Sequence, residues 1–373
     1  MCFILLRVLL FIFLVLTAPV DIKAQVTIRK YSNEFLNLGA GARGMGMSNT
    51  QTALANDVTA GYYNPAGLMN ITNAFQLMVM HAEYFAGIAK WDYGAFAIPT
   101  RDRKHCLGFS FFRFGVDDIP NTLFLVEPDG NINYENITSF NAADYAFMLH
   151  YARGIGKVKG LSLGLTAKVI YRHTGSFAQS FGFGTDIGLQ YRWKGLRVGF
   201  MAQDLTSTFN AWSFRFNEEE KKALIAAGQQ LPVNNTELTS PSFKLGIGYE
   251  VGIHNKVFFT PAIDMIWTTD GRRNVLLPGK PISMDMSFAL EVNLFHIAYL
   301  RAGLQQIQRS TDELGSKKIT LSPNMGAGVY IKIISLDYAL TNLTTLRSAD
   351  GGVGLYSHVV SIRLDITKKI KAP

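Results

Sequence analysis

Gly39, Gly41 and Gly44 spell a G-x-G-x-x-G, the spacing at which a tight backbone turn approaches a dinucleotide pyrophosphate. That chemistry needs a strand before the motif, a helix after it and a βαβ unit around it. The chain that follows alternates as strands instead, so no nucleotide is expected there. Asp129, Asn131 and Asn133 have calcium-loop spacing, but Tyr134 stands where the sharp turn needs glycine. They read as a polar turn in a loop. The seven histidines are dispersed, with no H-x-x-x-H or H-E-x-x-H pair. With Cys106 as the one cysteine expected in the mature chain, and read as an inert strand residue, no zinc site is expected. No G-x-S-x-G occurs either. The sequence gives no positive sign of catalysis, a metal or a cofactor.

The elements that position these residues follow from composition. The 373 residues are 12% aromatic and only 17% charged, against about 25% charged in ordinary soluble domains. The net charge of +8 comes without any Lys/Arg run of five, so nucleic acid is not an expected partner. Residues 1–24 read as a secretory signal peptide, with Arg7, an apolar core from Val8 to Leu16, and cleavage after Ala24. The alternative, a retained helical anchor, needs about 20 apolar residues, and this core is shorter. No later apolar run reaches that length, so the mature chain is either soluble and exported or embedded as a barrel.

From Phe75 onward the pattern has period two. In Ser242–Val251, Phe243, Leu245, Ile247, Tyr249 and Val251 share one face; Ser242, Lys244, Gly246, Gly248 and Glu250 share the other. Fourteen such segments are expected, at about 73–86, 90–99, 105–115, 143–154, 161–173, 180–193, 196–206, 241–252, 256–269, 283–295, 297–308, 319–331, 333–342 and 354–367. Most exceed the ~5–6 residues of a soluble strand and match the ~9–11 of a tilted spanning strand, which favours a barrel over a sandwich. Connections after the even-numbered segments are all short. Those after the third (116–142) and seventh (207–240) are long, as barrels with short inner turns and long outer loops require. The 207–240 loop should hold a helix capped by Asn217, with Glu218–Glu220 in its first turn and Gly228 past its end. Tyrosines and tryptophans such as Tyr151, Trp193, Tyr249 and Tyr356 fall toward strand ends, as an aromatic girdle would place them.

The fold expected is therefore all-β: a 14-stranded antiparallel transmembrane β-barrel spanning 73–367, with an N-terminal hatch or plug at 25–72 and a tail at 368–373. Leu36–Leu68 is rich in glycine and small residues, with one base, Arg43, and one acid, Asp57. Its candidate plug residues are Arg43, Gly44, Gly46, Asp57, Asn64, Pro65, Ala66 and Gly67. The candidate lumen residues are Lys168, Arg172, Asp186, Arg192, Arg197, Lys244, Glu250, Asp285, Glu291, Asp337, Arg363 and Asp365. Their mixed charge suits internal salt bridges and contacts to the plug, or a polar path for a solute. It suits a greasy tunnel least.

The run FLNLGAGARGMGMSNTQTALANDVTAGYYNPAGL, Phe35 to Leu68, resembles the N-terminal signature of the PorV/PorQ family within the FadL-like group of outer-membrane barrels. The matching features are Phe35-Leu36, Gly41–Gly46, Ala53–Asp57 and Asn64–Leu68. The later strands match in pattern rather than motif. The resemblance implies a 14-stranded barrel with an N-terminal hatch in a Bacteroidetes outer membrane, with membrane lipid as its surround. It also implies an accessory role in type IX secretion: binding cargo C-terminal signal domains and partnering the translocon or the attachment complex. FadL-like relatives instead pass hydrophobic compounds through a hatch-controlled side opening. A passive structural membrane protein is a third possibility. The chain ends ITKKIKAP, not on the terminal aromatic common in such barrels, so an insertion signal would be internal.

Overall fold

The computed structural model describes residues 25–28, 32–127, 129–156, 158–254, 256–311, 317–342 and 356–367. The expected signal peptide, the C-terminal tail and the connection at 343–355 lie outside them. A four-residue strand, β1 (Gln25–Ile28), comes first, followed by short helical turns that include α1 (Ala42–Gly46) and α2 (Ala60–Tyr63). The wall then begins with β2 (Phe75–Tyr84), β3 (Ala89–Pro99), β4 (His105–Asn121), β5 (Thr138–Gly154), β6 (Leu161–Thr174) and β7 (Ala178–Trp193). The seventh stave is broken into β8 (Leu196–Gln203) and β9 (Thr208–Phe214), and helix α3 (Glu218–Ala226) follows it. The eighth is β10 (Asn235–Thr239), β11 (Ser242–Tyr249) and β12 (Val251–Ile253). The remaining staves are β13 (Val257–Thr268), β14 (Ser283–Leu294), β15 (Ala298–Thr311), β16 (Lys317–Ile331), β17 (Ile334–Asn342) and β18 (Tyr356–Ile366). All neighbouring staves pair antiparallel, and β18 closes on β2 with Ile366 opposite Phe75, giving a closed 14-stranded barrel.

Period two becomes two environments. On β2, Met78, Met80, Ala82 and Tyr84 are buried while Leu77, Val79, His81 and Glu83 are exposed. Apolar side chains dominate the outward face elsewhere, as with Leu149, Val169, Phe181, Leu300 and Leu336. A wall that is mostly apolar outside, and polar inside away from β2–β6, is the inverse of a soluble core and matches a lipid surround.

The structure lengthens several staves. β4 and β5 extend to Asn121 and back from Thr138, where the sequence pattern stopped near 115 and 143. The register slips between Val116 and Ile119, with Asp118 at φ +55, so a bulge breaks the alternation while pairing continues. Likewise, the expected loop 207–240 contains β9 and β10. Asp204 and Ser207 both take positive φ, interrupting the pattern for four residues before pairing resumes. The helix inside that loop stands where the residues placed it. Asn217 and Glu220 form a capping box, and Gly228 follows at φ +72.

The connections at one mouth are all brief: 100–104, 155–160, 194–195, 254–256, 295–297 and 332–333. The connection carrying α3 lies at the other. Two connections at that far mouth are also short, at 85–88 and at Gly175–Phe177, the second shorter than the alternation suggested.

Candidate functional site

The N-terminal segment threads the barrel from one mouth to the other. At the long-loop mouth β1 pairs in parallel with β10, Gln25 opposite Asn235, and Asn33 Nδ2 donates to Thr239 Oγ1 (2.8 Å). At the short-turn mouth Arg103 Nη1 donates to Ile71 O (3.2 Å), and Ala74 N to Ile366 O (2.9 Å). Between them almost every residue from Ala40 to Leu68 is buried. At several inward wall glycines an added Cβ would collide with this segment. At Gly164 it would lie 2.1 Å from Ala66 N, at Gly188 2.1 Å from Asn64 Oδ1, at Gly199 2.0 Å from Thr52 O, and at Gly303 2.5 Å from Met47 C. Backbone therefore lies on backbone on several sides of the lumen.

Asn64 is the hub of this packing. Its Nδ2 donates to Thr52 O (2.8 Å) and to Leu189 O (3.0 Å) on β7, and its Oδ1 accepts from Ala66 N (3.2 Å). Pro65 follows as the first residue of a 3-10 turn, Pro65–Asn70, where its missing N–H costs nothing. Gly67 packs on Ala55 O and Gly44 on the Tyr63 ring, each too closely for a side chain; Gly46 sits against Gly326 of β16. The wall holds the rest: Gln190 Nε2 donates to Ala53 O and Ala55 O, and Trp91 Nε1 to Gly39 O. The Gly39-x-Gly41-x-x-Gly44 motif is thus enclosed by barrel wall, with Gly41 leading into a five-residue helix rather than into a βαβ unit.

One charge network ties the segment to the wall, and a second braces the wall itself. In the first, Arg43 Nε and Nη2 donate to Glu291 Oε2 and Oε1 (2.9 Å each). Arg301 Nε reaches the same Glu291 Oε2 (2.8 Å), and its Nη1 reaches Asp337 Oδ1 (2.6 Å). Arg363 Nη1 bonds Asp57 Oδ2 (2.8 Å) and its Nε bonds Asp365 Oδ1 (3.0 Å). The two plug charges, Arg43 and Asp57, are therefore held by β14 and β18. The second network is within the wall: Lys168 Nζ contacts Asp186 (2.8 Å) and Asp204 (2.5 Å), fixing the break between β8 and β9 to β6 and β7. Such buried groups are tolerated because each finds a partner.

The other expected lumen residues also face inward. Arg172 makes a fork with Asp144 (2.8 and 3.1 Å) and lies over the Trp212 ring. Arg197 bonds Glu250 (2.6 Å), and Arg192 sits beside it in register at the short-turn rim. Asp285 accepts from the next backbone N–H, Met286 N (2.8 Å). Lys244 and Asp264 line a cavity at the long-loop mouth, as does Asp285. Arg301, Asp204 and Asp264 were missed from the expected set. Alternation would have found Arg301, which falls on the inward face of its strand. The calcium-like triplet satisfies itself: Asp129 accepts from Asn131 N and Nδ2, and Asn133 accepts from Glu135 N. Among the described residues, no three His, Cys, Asp or Glu come together as a metal site.

The segment divides the lumen unevenly. Toward β2–β6 it is glued by a large apolar cluster including Met45, Val58, Tyr63, Met78, Trp91, Phe112 and Ile170. Elsewhere it leaves a cavity at each mouth. One, of about 530 Å³, opens at the long-loop mouth and is lined by Asn33, Gln203, Lys244, Asp264, Asp285 and Arg273 among others. The other, of about 340 Å³, opens at the short-turn mouth around Arg43, Asp57, Arg197, Glu291 and Arg363.

No family model and no curated protein matches this chain. Solved structures do resemble it. The toluene transporter TbuX of Ralstonia pickettii superposes with a TM-score of 0.54 at 13% identity, covering 88% of this chain and 98% of that one. The CymD monoaromatic hydrocarbon channel gives 0.52 at 12% identity, covering 89% and 98%. The toluene transporter TodX of Pseudomonas putida gives 0.50 at 13%, covering 92% and 100%. At these identities the likeness establishes a shared fold, the closed antiparallel β-barrel.

Proposed function

We propose that this chain is a non-enzymatic channel of the bacterial outer membrane, passing small amphipathic molecules past its own N-terminal segment. The observation that carries the reading is the uneven division of the lumen: the apolar side of the segment packs on β2–β6, and polar-lined cavities open beside it at both mouths. A protein that only stiffened a membrane would have no use for two cavities meeting at a plug. The barrels that share the fold are described as hydrocarbon channels and transporters, which supports small-molecule passage. The polar linings here move the expected solute from hydrocarbon toward amphipath. By the usual pattern of such barrels, the long-loop mouth faces outward and the short turns face the periplasm. The test is uptake by proteoliposomes across a graded series from toluene through phenethylamine to a hydrophilic amine. Saturable entry of the middle member supports the reading; entry of none above protein-free vesicles overturns it.

A second reading is accessory service in type IX secretion, with cargo signal domains and translocon or attachment-complex proteins as partners. It is favoured by the Phe35–Leu68 signature, whose Asn64-Pro65-Ala66-Gly67 end is the packing hub, and by α3, which buries none of its residues and so offers a surface at the outer mouth. Affinity capture from detergent-solubilised outer membranes tests it: co-purification of translocon or cargo domains is the expected result under this reading, and their absence counts against it.

A further inference from the structure

One row of small wall residues lies between the rows that line the two cavities. Gly248 of β11 pairs with Ala262 of β13, Ala262 with Ala289 of β14, and Ala289 with Gly303 of β15. These four form one row of small inward residues. The row toward the outer mouth holds Asp264 and Ser287, which line the outer cavity. The row toward the inner mouth holds Thr260, Glu291 and Arg301, which line the inner one. Two residues advance a strand by about 6.7 Å, so the polar rows lie roughly 13 Å apart. Facing the small row from the segment are Met47 and Leu54, both fully buried, which form with Ala289 and Ala262 a small apolar cluster apart from the main one. A Cβ at Gly248 would stand 2.6 Å from Leu54 Cδ2, so Leu54 rests directly on the wall there.

Both cavities also present polar atoms without protein partners. Gln76, only 4% exposed, lines the inner cavity with its Oε1 unbonded, and Arg197, lining the same cavity, has its Nε unbonded. Thr268 Oγ1 is in the same condition on the outer cavity. Such atoms need water or a solute.

We propose that Met47 and Leu54 form an apolar gate in a continuous path for small hydrophilic solutes along β11, β13, β14 and β15, a path that prefers cations. An apolar constriction between two wet vestibules excludes water and ions until its side chains move aside. The main chain of Met47 and Ser48 lies on the wall at Gly303 and that of Thr52 and Ala53 at Gly246, so the opening that the two side chains can yield is the gap over Gly248, Ala262 and Ala289. The preference follows from the outer lining, where Glu34, Asp204, Asp264, Asp270 and Asp285 face Lys244 and Arg273, with Lys168 behind neutralising Asp204. Acids still outnumber bases there.

This inference rests on the channel reading but names a more polar substrate class and a gate. The experiment is current through the purified full-length protein in planar bilayers under a KCl gradient, with the folded state confirmed by heat-modifiable gel mobility. Leu54→Ala should raise the current about tenfold or more over wild type, with a reversal potential on the cation-selective side. Met47→Ala should do the same and serves if Leu54→Ala does not give a folded barrel. Adding Ala289→Leu to Leu54→Ala should close the path again. Val58→Ala, in the large apolar cluster on the other half, should stay at the wild-type level. Folded gate variants with wild-type current, an equal rise from Val58→Ala, or anion selectivity would each overturn the proposal. The uptake series reads the wild type independently: amphipath entry with silent gate variants would discard the gate and leave the channel standing.

Discussion

Glu291→Ala should loosen the N-terminal segment from the wall more than any other single truncation in the inner network. Glu291 accepts three charge-assisted bonds, two from Arg43 and one from Arg301, at 2.8–2.9 Å. Removing it leaves two guanidinium groups in a site where Arg301 is 6% exposed. Deleting one partner of a buried ion pair costs about 3–5 kcal/mol. Arg43 keeps Asn56 (2.5 Å), Arg301 keeps Asp337 (2.6 Å), and the inner cavity lets water approach. The lower end, about 3 kcal/mol, is therefore expected, which at 1.4 kcal/mol per decade raises the displaced population about a hundredfold. Arg43 supplies its own reporter, because trypsin can cut after it only when the segment leaves the lumen. When reclosing is fast, the cutting rate follows that population, so cleavage at Arg43 should accelerate about a hundredfold while cutting at exposed loops is unchanged. A rate within about twofold of wild type would show that the network does not hold the segment.

Three further outcomes follow from the same packing. Gly164→Ala puts a methyl group where Ala66 N and Pro65 C lie at 2.1 and 2.2 Å, and neither backbone atom can give; a loss of about 3 kcal/mol is expected, read as a lower temperature for the heat-modifiable transition. Asn64→Asp should be worse than Asn64→Ala at neutral pH, because a carboxylate would face Thr52 O and Leu189 O where an amide now donates; the defect should shrink as pH falls and the new carboxyl regains a proton to donate, and a pH-independent deficit would refute this. Asn217→Ala should cost helix α3 about 1 kcal/mol by removing its capping box, with no change in the barrel transition.

The staves were legible because period two is a direct consequence of a wall with two different solvents on its faces. Ser283–Leu294 shows this plainly: Ser287, Ala289 and Glu291 point in, Phe288 and Leu290 out. Legibility failed where the backbone departs from that period while pairing persists, at the bulge before Ile119 and at the Asp204–Ser207 break that hid β9 and β10. The inward charges could be read singly but not paired. Arg43 meets Glu291 across 248 residues and Arg363 meets Asp57 across 306, and only barrel closure sets those registers. Gly164, Gly188 and Gly199 were visible as small inward positions, yet their role is defined by Ala66, Asn64 and Thr52, which touch them from a distant part of the chain. Met47 and Leu54 carried no signal, since two apolar residues in a buried segment resemble any others until the cavities on either side are known.

The most direct test of the central claim reads two phenotypes in one strain. Deleting the gene and measuring both entry of a small amphipathic amine and release of surface-attached cargo separates a channel from a secretion partner. The account predicts that entry falls while secretion continues, restored by the wild-type chain. Lost secretion with unchanged entry would contradict it.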